Sequence, residues 1–201
     1  AASYLSEVRF HWRALAATCA GMGAGFLLNH YVANMFAPHL IAEFGWSRAQ
    51  FALLGSMAFL TAFVVPVVGR MTDLCGVRPV AAVGVVVLPL RFVACSLMDG
   101  SLLMFGVISF FQLLLAGATT SSTVYSRLIA ERFVSARGLG LALAATTPAI
   151  AGVIGSPLLH NAIEAWGWRT GYLIVAAYTA VGGALCLLLI PRDGGRARQG
   201  R

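Results

Sequence analysis

Gly69-Arg70-Met71-Thr72-Asp73-Leu74-Cys75-Gly76-Val77-Arg78 is a charged, glycine-bracketed link between two long apolar runs. A link this short forces the flanking segments into a tight hairpin and sets an acid and two arginines at one membrane surface. Gly69 permits close backbone approach and Gly76 a tight turn. Asp73 is expected near the start of the helix that follows, where a negative charge meets the positive helix end. It can also pair with Arg78, or with a basic residue after the fourth apolar run such as Arg127.

Outward from this link the chain is apolar. Of 201 residues, 59% are hydrophobic and 10% charged, far from the composition of soluble domains. Six runs, at 14–36, 51–68, 79–98, 102–124, 139–159 and 170–190, each come near the roughly 20 residues a helix needs to cross about 30 Å of hydrocarbon. Six spans and short loops use up almost the whole chain and leave no room for a soluble domain. Alternating patterning with regular turn signals is missing, which argues against a membrane barrel. The first residue is Ala, so the chain is expected to begin inside a longer reading frame. The first run is too long for a cleavable signal and has no clear small-residue site behind it.

The net charge of +7 comes with no lysine. The arginines alternate by loop, with Arg9 and Arg13 before span one, and Arg70 and Arg78 between spans two and three. Arg127, Arg132 and Arg137 lie between four and five, and Arg192, Arg196, Arg198 and Arg201 follow six. The other loops hold Arg48 and Arg169. The positive-inside rule then predicts two cytoplasmic termini in a bacterial inner membrane. The charge is a topology signal, not a nucleic-acid surface, and the basic tail 191–201 could also meet anionic lipid. Cys19, Cys75, Cys95 and Cys186 lack metal-ligand spacing and read as small apolar filler. No metal or cofactor is expected.

The link has an echo. Pro66 to Arg78 and Pro157 to Arg169 share one frame: Pro, six residues, an acid, two residues, Gly, one residue, Arg. The offset of 91 residues is close to three spans, so spans one to three read as a repeat of four to six. An odd number of crossings makes the two units inverted, the plan of secondary transporters. The same offset sets the polar stretch 29–34 in span one against 120–125 in span four. Polar groups in hydrocarbon are costly unless they face protein or a wet cavity, so one cavity between spans one and four is expected.

With these residues the chain resembles the N-terminal half of a major facilitator superfamily transporter, an all-α polytopic fold. Gly69, Asp73, Gly76 and Arg78 match the family's signature between helices two and three, and Leu74 stands where the family has Arg. The phrases 43–48, 132–139 and 167–169 are most similar to the monocarboxylate transporter and oxalate/formate antiporter branch. The resemblance implies a twelve-helix fold, hence a further C-terminal six-helix half. It also implies that Gly69, Asp73, Gly76, Arg78 and Arg127 form a conformational latch at the cytoplasmic face.

His30 and Asn34 form an i, i+4 pair on one helix face. With Asn29 they could hydrogen-bond a carboxylate or carry a proton, and the alternative is helix packing with the imidazole bonded internally. The resemblance adds Tyr31, near the branch's substrate-contacting position on helix one. Ser121 and Ser122, within the stretch 119–123, are candidates for the opposite cavity wall, unless they bond their own helix backbone. Arg91 lies about 10 Å short of the far end of span three at 1.5 Å per residue. A buried arginine invites an anion-binding reading. The resemblance puts helix three at the periphery, however, so snorkelling to the outer surface or pairing with Asp99 is expected. Gly21 and Gly25, and the stripe Ala144, Pro148, Gly152 and Ser156, read as packing faces.

The reading that follows is a secondary active transporter of a small organic solute, a mono- or dicarboxylate, working by alternating access. Its partners would be that solute, a coupling proton or counter-substrate, the bilayer and the second half. All seven acids fall in loops or at span ends, so a coupling proton would fall to His30 or to the second half. An intramembrane enzyme would need paired aspartates, a Ser with a placed His, or HExxH. None is present. A non-transporting sensor-like or inert half-module is the remaining alternative.

Overall fold

A computed structural model describes residues 2–117 and 119–190; the expected basic tail 191–201 lies outside them. Among the described residues all regular structure is helical. A short helix α1 (Ala2–Phe10) leads into span one, which is divided into α2 (Trp12–Gly23) and α3 (Leu28–Phe44). Span two consists of α4 (Arg48–Ser56), a 3-10 turn at Met57–Leu60, and α5 (Thr61–Cys75). Span three is α6 (Val77–Ser96). Span four runs from α7 (Leu102–Phe111) through a π turn at Gln112–Gly117 to α8 (Ser122–Ala130). Spans five and six form α9 (Arg137–Leu189), interrupted at Gly167 by a non-helical φ of 83° and ψ of 161°. Val77–Ser96, Leu102–Ala130 and Arg137–Leu189 are each long and apolar enough to cross a membrane.

Local chemistry sets the boundaries. Ser47 and Gln50 form a capping box at the start of α4, each side chain accepting the other's backbone N–H at 3.1 and 2.8 Å. Ser101 caps α7 by accepting from the Met104 N–H. Gly45 ends α3 in the left-handed region.

The link between spans two and three is shorter than the sequence suggests. α5 runs on to Cys75 and α6 starts at Val77, so Gly76 alone reverses the chain, at φ 86° and ψ 166°. That conformation is essentially open to glycine only, which is why one residue does the work of a loop. Asp73 therefore lies in the last turn of span two rather than the first turn of span three. Its charge meets the negative end of its own helix, and Arg127 supplies the compensation.

α2, α3 and α6 pack against α9. The apolar core falls into two clusters. One holds Ala17, Met22, Val77, Val124, Tyr125, Phe133 and Cys186. The other holds Leu28, Phe36, Leu88, Phe92, Ala116, Trp168 and Tyr172, with Phe36 and Tyr172 stacked at 3.8 Å between ring centroids. The clusters meet where span one breaks between α2 and α3 and span four breaks before α8. The two breaks touch. The Phe26 N–H donates to Thr120 Oγ1 at 3.1 Å, and that hydroxyl donates on to the Ala116 carbonyl at 2.7 Å. In hydrocarbon an unpaired backbone group costs several kcal/mol, so a broken span needs such a cross-link. Gly25 thus belongs to a break, while Gly21, inside α2, packs against Tyr125 and Cys186.

Candidate functional site

One end of the bundle carries the arginine-rich links. Arg127 of α8 forms a forked ion pair with Asp73 of α5, its second contact, Nη2 to Oδ2, at 3.4 Å. Arg78 is not the partner. Gly69 lies beside the Arg127 guanidinium, 3.7 Å from where a Cβ would stand. At the same end, Glu7 of α1 accepts the backbone N–H groups of Val134, Ser135 and Ala136 at 2.5, 3.0 and 2.7 Å. These bonds hold its carboxyl below the ordinary carboxylate value.

The far end is also tied. Glu43 accepts from the Trp168 indole and, at 2.9 Å, from Arg169. Arg169 stacks over the Trp168 ring at 4.3 Å. The Trp46 indole donates to the Gly100 carbonyl at 3.0 Å, and His39 approaches Glu164 at 3.7 Å. The phrases 43–48 and 167–169 thus meet in one aromatic and charged cluster.

Between the break and this far end lies a cleft of about 740 Å³, walled by spans one to four. Span one contributes Asn29, His30 and Asn34, and the start of span two contributes Arg48. Span three contributes Arg91, and span four contributes Ser109 and Gln112. Among the described residues that line it, none is acidic. The face predicted for Asn29, His30 and Asn34 does face a cavity, and the His30 ring meets Phe26 edge-on at 5.7 Å.

Tyr31 lies elsewhere. Its ring packs over span five, 2.7 Å from where a Cβ on Gly152 would stand. Ser121 and Ser122 start α8 and are not among the residues lining this cleft. Thr119 and Thr120 are buried and bonded to their own helix backbone.

Arg91 overturns its expectation. It neither snorkels to the surface nor reaches Asp99. It is 8% exposed, stacked 4.8 Å over Phe92, and its Nη1 donates to Asn29 Oδ1 at 2.9 Å. The reason is Asn29 on span one, which offers an inward hydrogen-bond acceptor where lipid offers none. Gln112 was missed altogether. Its signal was an amide alone in the apolar run 102–118, three residues after Ser109.

No match was found among curated proteins or among solved structures. Residues 13–200 match the profile of the Major Facilitator Superfamily. With that match over nearly the whole chain, and with an all-helical bundle of long apolar helices, the chain belongs to the Major Facilitator Superfamily of membrane transporters.

Proposed function

We propose that the chain is the N-terminal half of an alternating-access carrier for a small organic solute, a mono- or dicarboxylate. The observation that carries this reading is the cleft. It holds a histidine, two asparagines and two arginines with no acid among its described lining residues. A concave site lined mainly by apolar groups with a few convergent polar ones is the general form of a small-molecule site. The positive lining favours an anion. The similarity of 43–48, 132–139 and 167–169 to the monocarboxylate and oxalate/formate branch supports a carboxylate.

In this reading both termini face the cytoplasm of a bacterial cell, following the arginine-bearing loops. The cleft then opens to the opposite side. The Asp73–Arg127 pair is the cytoplasmic latch, and the second six-helix half closes the transport path. His30 is the titratable group placed to couple a proton.

The test is uptake into proteoliposomes holding the purified full-length protein. Labelled lactate, oxalate and succinate would be compared with neutral sugars, with and without an imposed pH gradient. Saturable uptake or counterflow of at least one carboxylate is expected. Uptake of neutral solutes alone would remove the carboxylate assignment, and the absence of any flux would favour a non-transporting module.

A further inference from the structure

We infer that Arg91, Asn29 and Gln112 form a dedicated oxyanion subsite at the inner wall of the cleft, built to receive a carboxylate. The inference rests on the carrier reading for its solute, but its argument is local. Arg91 is a permanent cation, 8% exposed, in a chain that spans hydrocarbon. Such a charge is retained where it faces protein or water and meets a counter-charge. Among the described residues Arg91 makes no ion pair: its one hydrogen bond goes to the neutral amide oxygen of Asn29. Its Nε is buried with no hydrogen-bond partner, and so is Nε2 of Gln112, a side chain only 2% exposed.

The two side chains that carry these orphaned donors, from two different spans, thus both line one cleft. A buried donor left without an acceptor keeps its full desolvation cost, and a buried cation without its partner costs more. With a side-chain rotation that turns both donors into the cleft, a carboxylate between them answers all three needs at once. One oxygen accepts from Arg91 Nε, the other accepts from Gln112 Nε2, and the charge neutralises the guanidinium. Asn29 holds Nη1 and fixes the plane of the fork, so it is a positioning residue. Arg48, on the same cleft but at its exposed end, attracts the anion without enclosing it.

The test is ligand binding to the full-length protein in nanodiscs of zwitterionic phosphatidylcholine, read by calorimetry and by thermal midpoint. The probes are oxalate, succinate, lactate and succinamide, the neutral counterpart of succinate. At least one carboxylate should bind and succinamide should not. Arg91→Gln and Gln112→Leu should each weaken binding tenfold or more, and Arg91→Lys should fall between, keeping the charge but not the fork. Asn29→Asp reads the same contact if Arg91→Gln does not fold. By supplying an internal counter-charge it should raise the thermal midpoint and abolish carboxylate binding.

Carboxylate binding unchanged in Arg91→Gln or in Asn29→Asp overturns the subsite. So does Arg91-dependent stabilisation by added phosphatidylglycerol with no carboxylate bound, which would assign the site to a lipid headgroup. Arg91-dependent binding without any uptake would remove the carrier reading and leave the subsite. Carboxylate uptake indifferent to Arg91→Gln would do the reverse.

Discussion

Gly76 and Gly167, 91 residues apart, hold the same backbone conformation: φ 86° and ψ 166° at the first, φ 83° and ψ 161° at the second. Each reverses the chain between the second and third helices of its own half. Each also follows an acid by three residues. Asp73 pairs with Arg127 of span four, and Glu164 lies 3.7 Å from His39 of span one. The two halves thus exchange equivalent contacts, the acid of each unit reaching the first span of the other. This is the pattern that two inverted three-helix units produce.

Alanine at either glycine has room but the wrong backbone. No atom lies within 4 Å of a Cβ built at Gly76 or Gly167, so the cost comes from φ alone, about 1–3 kcal/mol for such a region. Gly76→Ala and Gly167→Ala should lower the unfolding midpoint by similar amounts. Gly155→Ala, helical and equally uncrowded, should be neutral or stabilising by up to ~1 kcal/mol. Denaturant unfolding of the three variants checks this, and unequal costs at 76 and 167 would count against the repeat.

The Asp73–Arg127 pair contributes little to stability, because the side chains are 55% and 26% exposed. A double-mutant cycle with Asp73→Asn and Arg127→Gln should give a coupling of about 0.2–1 kcal/mol. Its expected effect is kinetic. As a latch the pair favours the state closed at the arginine face, so Asp73→Asn should raise the population open at that face and change the uptake rate. Accessibility labelling and transport measure the two effects, and a variant unchanged in both removes the latch role.

The fold was legible because six apolar runs and one spaced motif survive in sequence whatever the packing. The cleft was half legible. Asn29, His30 and Asn34 announce themselves as polar groups in an apolar span. Arg91 does too, but its direction is set by an acceptor 62 positions away, and a peripheral helix three pointed it outward. Gln112 is a single amide among leucines, less conspicuous than the hydroxyl run at 119–123, in which Thr119 and Thr120 bond their own helix backbone. The breaks in spans one and four were illegible for a related reason. A glycine stripe looks the same whether it packs a continuous helix or interrupts one.

Glu7 gives a pH dependence at the arginine-bearing end. Three backbone N–H groups at the approach to α9 depress its carboxyl. The contact therefore stabilises above the unfolded-state value near 4.5 and is lost as pH falls below that, through the lower folded value. Amide exchange at Val134, Ser135 and Ala136, corrected for its intrinsic pH dependence, should show protection at pH 6 that declines toward pH 3. Glu7→Gln should abolish that pH dependence and leave these amides weakly protected throughout. Equal protection in both proteins would mean the carboxylate does not hold the segment.

Gly25 tests the junction of the two broken spans most sharply. A Cβ there would lie 2.5 Å from the Gly21 carbonyl oxygen and 2.9 Å from that of Thr120. Both obstacles are backbone, so neither can rotate aside. At Gly23 the nearest obstacle is the Thr147 methyl at 2.8 Å, a side chain that can move. Gly25→Ala must therefore push span one from span four, lengthening the bond from the Phe26 N–H to Thr120 Oγ1. Overpacking of this kind costs about 1–3 kcal/mol, and a weakened cross-link adds to it. Gly23→Ala should cost clearly less. Thr120→Val, which keeps the shape and removes the hydroxyl, should remove part of the Gly25→Ala penalty when the two are combined, because they act on one contact. Thermal unfolding of the single and double variants decides it: strictly additive losses would show that the breaks are independent and that spans one and four do not brace each other there.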